Sequence, residues 1–105
     1  MKVLFTVRRQ YYDAIVAGTK TCEIRKATKR WESVAFKLAL DSLDGADSQA
    51  VFLCGRNPVH RRIIIDVRWF STPEAALGRE LSEQGRKDLG NGPVIAFELG
   101  RVVGT

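Results

Sequence analysis

The densest run of chemically capable residues is Gly18 to Lys26, with the sequence GTKTCEIRK. From Thr19 to Lys26 it alternates as a strand does. Thr21, Glu23 and Arg25 point to one side, and Cys22 and Ile24 point to the other, toward a core. Lys20 beside Thr21, Glu23 and Arg25 makes a small charged, hydrogen-bonding cluster. A lysine held near other cations loses its proton more readily and serves as a base or nucleophile. The same ammonium also binds phosphate as a point charge. Glu23 and Arg25, two residues apart on one strand face, are placed to pair. The bland alternative is a salt-bridged edge strand. Against it stands Gly18, since glycine ahead of such a strand marks a backbone that something approaches closely.

Charge is concentrated around this segment. Of 17 Lys and Arg and 12 Asp and Glu in 105 residues, the first 30 residues hold eight basic and two acidic groups. That stretch is therefore +6, within a total of +5. A concentrated positive field attracts polyanions, RNA and DNA above all. Arg8, Arg9, Lys26, Lys29 and Arg30 are the candidate phosphate contacts. The alternative is a solvated basic surface. Trp31 either stacks a base or packs into the core at a helix start. Arg61 and Arg62 read as strand-end charges that discourage edge pairing, or as further phosphate contacts.

Several chemistries are excluded. No glycine-rich nucleotide fingerprint is present. Gly18-Thr19-Lys20-Thr21 has the letters that end a phosphate-binding loop, but it lacks the earlier glycine and enters a strand rather than a helix. With one His, a multi-histidine metal site is out. His60, between Pro58 and Arg61, reads as a strand-start residue near solvent, without the elbow motif of a catalytic triad. Two Cys cannot make a disulfide scaffold, and Cys22 and Cys54 read as free thiols. Neither a metal nor a cofactor is expected.

The elements that must position these residues follow from local pattern. Strands are predicted at Val3–Val7, Thr19–Lys26, Ala50–Cys54, His60–Phe70 and Val94–Leu99, the last stopped by Gly100. Helices are predicted at Tyr11–Gly18, Trp31–Leu43 and from Ser71-Thr72-Pro73-Glu74 to about Gln84. Ala27–Arg30 and Gly85–Pro93 read as loops. Along His60–Phe70 the register places Ile63, Ile65, Val67 and Trp69 in the core. Strands without a helix after each one exclude a doubly wound parallel sheet. The expectation is one α+β domain over residues 1–105, with a curved, mostly antiparallel sheet and two or three short helices. No apolar run approaches the roughly 20 residues of a membrane span. No membrane association and a cytoplasmic location are expected.

Tyr12 to Arg25 (YDAIVAGTKTCEIR) resembles the signature of the ASCH domain family: an aromatic, a short helix ending Ile-x-x-Gly, then x-Lys-Thr-x-Glu-x-Arg. Looser matches are Trp31, Phe52-Leu53-Cys54-Gly55, His60-Arg61-Arg62 and the Val94–Leu99 strand. The resemblance implies a PUA-like fold, a compact small β-barrel with helices at its ends. It also implies a cleft lined by Lys20, Thr21, Glu23 and Arg25, with Arg30 and Trp31 at its rim. The family's general role implies RNA, or a nucleotide-like ligand, as partner.

Small members of the family that act as acetylcytidine amidohydrolases share Lys20. They carry threonine where this chain has Glu23, together with a later acid that Glu80 or Glu83 would have to supply. The first expectation is an RNA-binding module. The alternative is a hydrolase on a modified nucleoside or on single-stranded RNA, with Lys20 and Glu23 as its catalytic residues and Glu83 as a further acid. A third possibility is a protein-interaction module using the Gly85–Pro93 segment.

Overall fold

A computed structural model describes residues 1–104. Nine elements follow one another: β1 (Lys2–Thr6), α1 (Arg9–Ala17), β2 (Cys22–Lys26), α2 (Lys29–Leu43), β3 (Ser48–Leu53), β4 (His60–Phe70), α3 (Pro73–Leu77), α4 (Glu83–Leu89) and β5 (Val94–Val102). The strands form one sheet in the order β1-β3-β4-β5-β2. Only β1 and β3 run parallel; the other three pairings are antiparallel. The sheet curls into a half-barrel with β1 and β2 at its two edges, so the expected α+β class and mostly antiparallel sheet are both present.

The curl separates two apolar clusters. The main core joins Val3 and Phe5 of β1, Ile15 of α1, Ala35 and Leu38 of α2, Ala50 and Phe52 of β3, and Ile95, Phe97 and Leu99 of β5. The alternate β5 residues, Val94 and Ala96, face the other way. With Ile24 they pack beneath Phe70, Ala76, Leu77 and Leu89, the last three from α3 and α4. β5 is thus buried on both faces, as a near-continuous apolar strand must be. α1 packs Tyr12 and Ile15 inward. It ends at Gly18, whose φ of 82° is the left-handed conformation that glycine adopts without a Cβ penalty. The Ala14 carbonyl then accepts from both the Thr19 and Lys20 N–H groups. This cap reverses the chain and delivers Lys20 to the start of β2.

The structure corrects several expectations. The predicted helix from Pro73 to Gln84 is two helices. α3 stops at Gly78, where φ is 68°. α4 starts anew behind Ser82, whose hydroxyl accepts from Gly85 N–H at 3.1 Å. α4 therefore occupies much of the segment expected to be the Gly85–Pro93 loop, and the described residues form four helices rather than two or three. α2 begins at Lys29, capped by the Thr28 hydroxyl accepting from Trp31 N–H, so Lys29 and Arg30 are helical rather than in a loop. β5 runs past Gly100 to Val102.

Ile65 and Trp69 are not core residues; they are 59% and 49% exposed. The β4–β5 register shifts between Arg62 and Ile64 and again between Ile64 and Asp66. Ile65 lies at the second of these irregularities, which displaces it from the regular alternation, whereas Trp69 lies beyond both, in unbroken register with Val67, and is left half-uncovered near the end of the strand. Cys22 and Cys54 are free. His60 does open β4, half-buried beside the Phe52 ring.

Candidate functional site

β2 is an edge strand, paired on one side only, with β5. Its segment lines a cleft of about 1060 Å³, walled by the start of α1, by Trp31 of α2 and by α3, α4 and the loop between them. On the floor lies Glu23. Strand alternation turns it away from Ile24, toward the interior of the half-barrel, and it is only 6% exposed.

Two cations flank the Glu23 carboxylate. Lys20 Nζ is 4.0 Å from Oε2, and Arg25 Nε is 3.6 Å from Oε1. Neither approach is a hydrogen bond, and Oε2 and Arg25 Nε are buried without hydrogen-bond partners in the protein. Burial pushes the Glu23 carboxyl up from its ordinary value, and Lys20 and Arg25 hold back part of that rise. A buried acceptor left open on the floor of a cleft is unusual, and it is suited to a donor supplied from outside.

The neighbours of Glu23 are held by the backbone and by rings. Lys20 Nζ donates to the Cys22 carbonyl, and it lies 5.7 Å from the centre of the Tyr11 ring. Arg25 donates to the Thr6 carbonyl at 2.9 Å. Its guanidinium sits 5.3 Å from the Phe5 ring and 5.2 Å from the Trp31 ring. Those two rings stack on each other, 5.1 Å apart and 3° from parallel. Trp31 meets Phe97 edge-on as well, so it joins the core to the cleft wall. Arg30 also lies 5.1 Å from the Trp31 ring. A base stacking on Trp31 must therefore compete with guanidinium groups, whereas the cation over the Tyr11 ring is the Lys20 ammonium.

A second ion pair bridges the cleft between elements far apart in sequence. Arg8, at the N-terminal cap of α1, donates to both oxygens of Asp88 in α4, at 2.9 and 3.3 Å. The Arg8 hydrogen bond lowers the Asp88 carboxyl below its usual range.

Of the residues singled out from the sequence, Arg8, Lys20, Thr21, Glu23, Arg25, Lys26 and Trp31 line the cleft. Arg9, Lys29 and Arg30 do not. Arg9 pairs with Asp13 one helical turn along α1, Lys29 is exposed in the first turn of α2, and Arg30 lies against Trp31. Glu80 and Glu83 are exposed and outside the lining. Among the described residues the acids of the lining are Glu23 and Asp88. Arg61 is exposed, while Arg62 is buried and donates to the Gly100 and Ile15 carbonyls, which makes it a structural clasp.

Sequence reasoning missed Tyr11, Arg79 and Asp88 as lining residues. Tyr11 had a signal, since it lies off the Tyr12–Ile15 face of α1. Asp88 had none, because its segment read as a loop. Among the described residues no cluster of His, Cys, Asp and Glu is arranged to hold a metal ion.

The architecture is that of ASCH and PUA-like domains: a half-barrel of five strands with helices closing it and a cleft beside an edge strand. The chain superimposes on the crystal structure of a serine-to-alanine mutant of ZmASCH from Zymomonas mobilis with a TM-score of 0.64. The match covers 97% of this chain and 72% of that one at 21% identity, so it establishes the shared fold. No protein-family model and no curated protein sequence matches the chain.

Proposed function

We propose that the protein is an ASCH-type nucleic-acid-binding module that takes one nucleotide of a single-stranded RNA into the cleft. The observation that carries this reading is the buried Glu23 carboxylate, with one oxygen unpartnered, set between Lys20 and Arg25. A carboxylate so placed accepts hydrogen bonds from base amino and imino groups or from a ribose hydroxyl, which is how unpaired RNA is read. Lys20 adds positive charge for a phosphate or a carbonyl oxygen, Thr21 adds a hydroxyl, and Tyr11 offers a ring for stacking. Lys26 at the end of β2, with Lys29 and Arg30 just after it, extends the positive charge toward flanking phosphates.

Fluorescence anisotropy of a short single-stranded RNA, at two salt concentrations, tests this. Wild type binds, and added salt weakens binding. Lys20→Ala costs about tenfold in affinity, the order of one charge-assisted hydrogen bond. Absence of binding at low salt, or binding indifferent to Lys20, overturns the reading.

The same floor supports a second reading. Lys20 within 4.0 Å of a carboxylate whose proton affinity is raised is a plausible acid–base pair, suited to hydrolysis of an acylated nucleoside or of RNA. Glu23 would serve as the acid–base group, because Glu80 and Glu83 do not line the cleft. Turnover of acetylated cytidine that Lys20→Ala abolishes favours this reading; no turnover by wild type removes that substrate.

A further inference from the structure

α2 carries a second apolar face that nothing in the chain covers. Its core side is formed by Trp31, Val34, Ala35 and Leu38. On the opposite side Phe36, Leu40 and Leu43 are 68%, 53% and 84% exposed. At spacings of four and three residues they form one stripe along the helix. Three adjacent large apolar side chains on one helical face are what an association surface presents. This stripe lies on the opposite side of α2 from the helix's cleft-lining residue, Trp31.

Charge beside the stripe indicates what covers it. Lys37 and Asp44 are both exposed, and neither joins an ion pair among the described residues. Seven residues apart, they stand two turns from each other on the same flank of the stripe. Asp44 is the C-cap, and the last turn of α2 holds no basic residue, so a negative group stands where the helix dipole favours a positive one.

We propose that this face pairs with its own copy. Two α2 helices cross antiparallel about a twofold axis at Leu40. Leu40 then meets its symmetry mate, and Phe36 meets Leu43 of the other copy. In an antiparallel pair each flank faces its own equivalent. Lys37 therefore reaches Asp44 of the second copy and brings positive charge to that helix's C-terminal end, and the symmetry makes the contact twice. On the other flank Ala39 is small enough to let the helices approach. A stripe of three side chains falls short of the roughly 1,200 Å² typical of stable interfaces. The dimer is therefore weak and dissociates on dilution.

Sedimentation velocity on the full chain without nucleic acid, over a concentration series in low salt, tests the pairing independently of the cleft. Wild type rises from 11.7 kDa toward twice that mass as concentration increases. Leu40→Glu stays monomeric throughout. Lys37→Asp and Asp44→Lys each weaken association about tenfold, because each places like charges at two symmetric contacts. The double reversal restores association to within about twofold of wild type, the coupling that a direct pair produces. All three positions are solvent-exposed, and circular dichroism confirms that the variants remain folded. A mass that stays at 11.7 kDa at every concentration overturns the proposal. So does a dimer that Leu40→Glu leaves intact, or a double reversal that fails to rescue.

Discussion

Glu23 is the residue on which the proposed function turns, and its position is costly to the fold. A carboxylate removed from water loses hydration that its neighbours must replace. Here the neighbours are two cations at 3.6 and 4.0 Å, neither hydrogen-bonded to it. The raised proton affinity means that they compensate only in part. The folded state therefore holds the Glu23 proton more tightly than the unfolded chain does. The stability that this group contributes is fully present below the ordinary glutamate value near 4.5. It is lost as pH rises through the higher folded value. Glu23→Gln mimics the protonated form, so it raises Tm at neutral pH and the gain shrinks as pH approaches 4. Thermal melts of wild type and variant at the two pH values check this, and an unchanged or lowered Tm at neutral pH contradicts it. The same substitution removes the acceptor, so it weakens RNA binding while stabilising the fold. That opposition marks a residue kept for function.

At the scale of elements, the cleft depends on how α1 is tied to the sheet. Gly18 turns the chain so that Lys20 lands beside Glu23, and Arg62 clasps the end of the same helix. Its guanidinium is buried and donates to the Ile15 carbonyl of α1 and the Gly100 carbonyl of β5. One side chain thus ties α1 to β5, adding a second donor to the Ile15 carbonyl, which the Gly18 N–H also reaches. Arg62→Ala removes both of these hydrogen bonds and opens a void. It costs about 2–4 kcal/mol, read as a lowered denaturant midpoint. Because the clasp ends at the turn that carries Lys20, the variant also loses RNA affinity at temperatures where it remains folded. The opposite wall is less firmly tied: α4 is held by the exposed Arg8–Asp88 pair, by the half-buried Arg86–Glu74 pair and by Leu89 on the smaller cluster. Exposed pairs contribute little to stability.

For the whole molecule, net charge overstates what is available to a polyanion. Of the eight basic residues in the first 30, Arg8 and Arg9 are paired with Asp88 and Asp13, and Lys20 and Arg25 share Glu23. Near the cleft, the cations without an ion pair among the described residues are Lys26, Lys29, Arg30 and Arg79. Three or four phosphate contacts on a single strand give a log–log salt slope of about −2 to −3. A slope of about −5 or steeper would mean that the internal ion pairs open on binding. Titrations at several salt concentrations measure it directly. The fold itself leaves the α2 stripe unpartnered, so the oligomeric state belongs to this scale as well.

Much of this was readable from residue types and spacing: the five strands, α1 with its glycine stop, the identity of Lys20, Thr21, Glu23 and Arg25, and the concentration of positive charge. These depend on local periodicity and on turn chemistry, which neighbouring residues determine among themselves. Tertiary structure alone decided which charges remain free, since ion-pair partners such as Arg8 and Asp88 lie 80 residues apart. It alone exposed Ile65, at a register shift in β4 that arises from how β5 pairs with it, and Trp69, which the packing of the fold leaves half-uncovered near the end of that strand. It alone buried Glu23. Alternation shows only that Glu23 and Ile24 face opposite ways; the curl of the sheet puts both sides of an edge strand out of water.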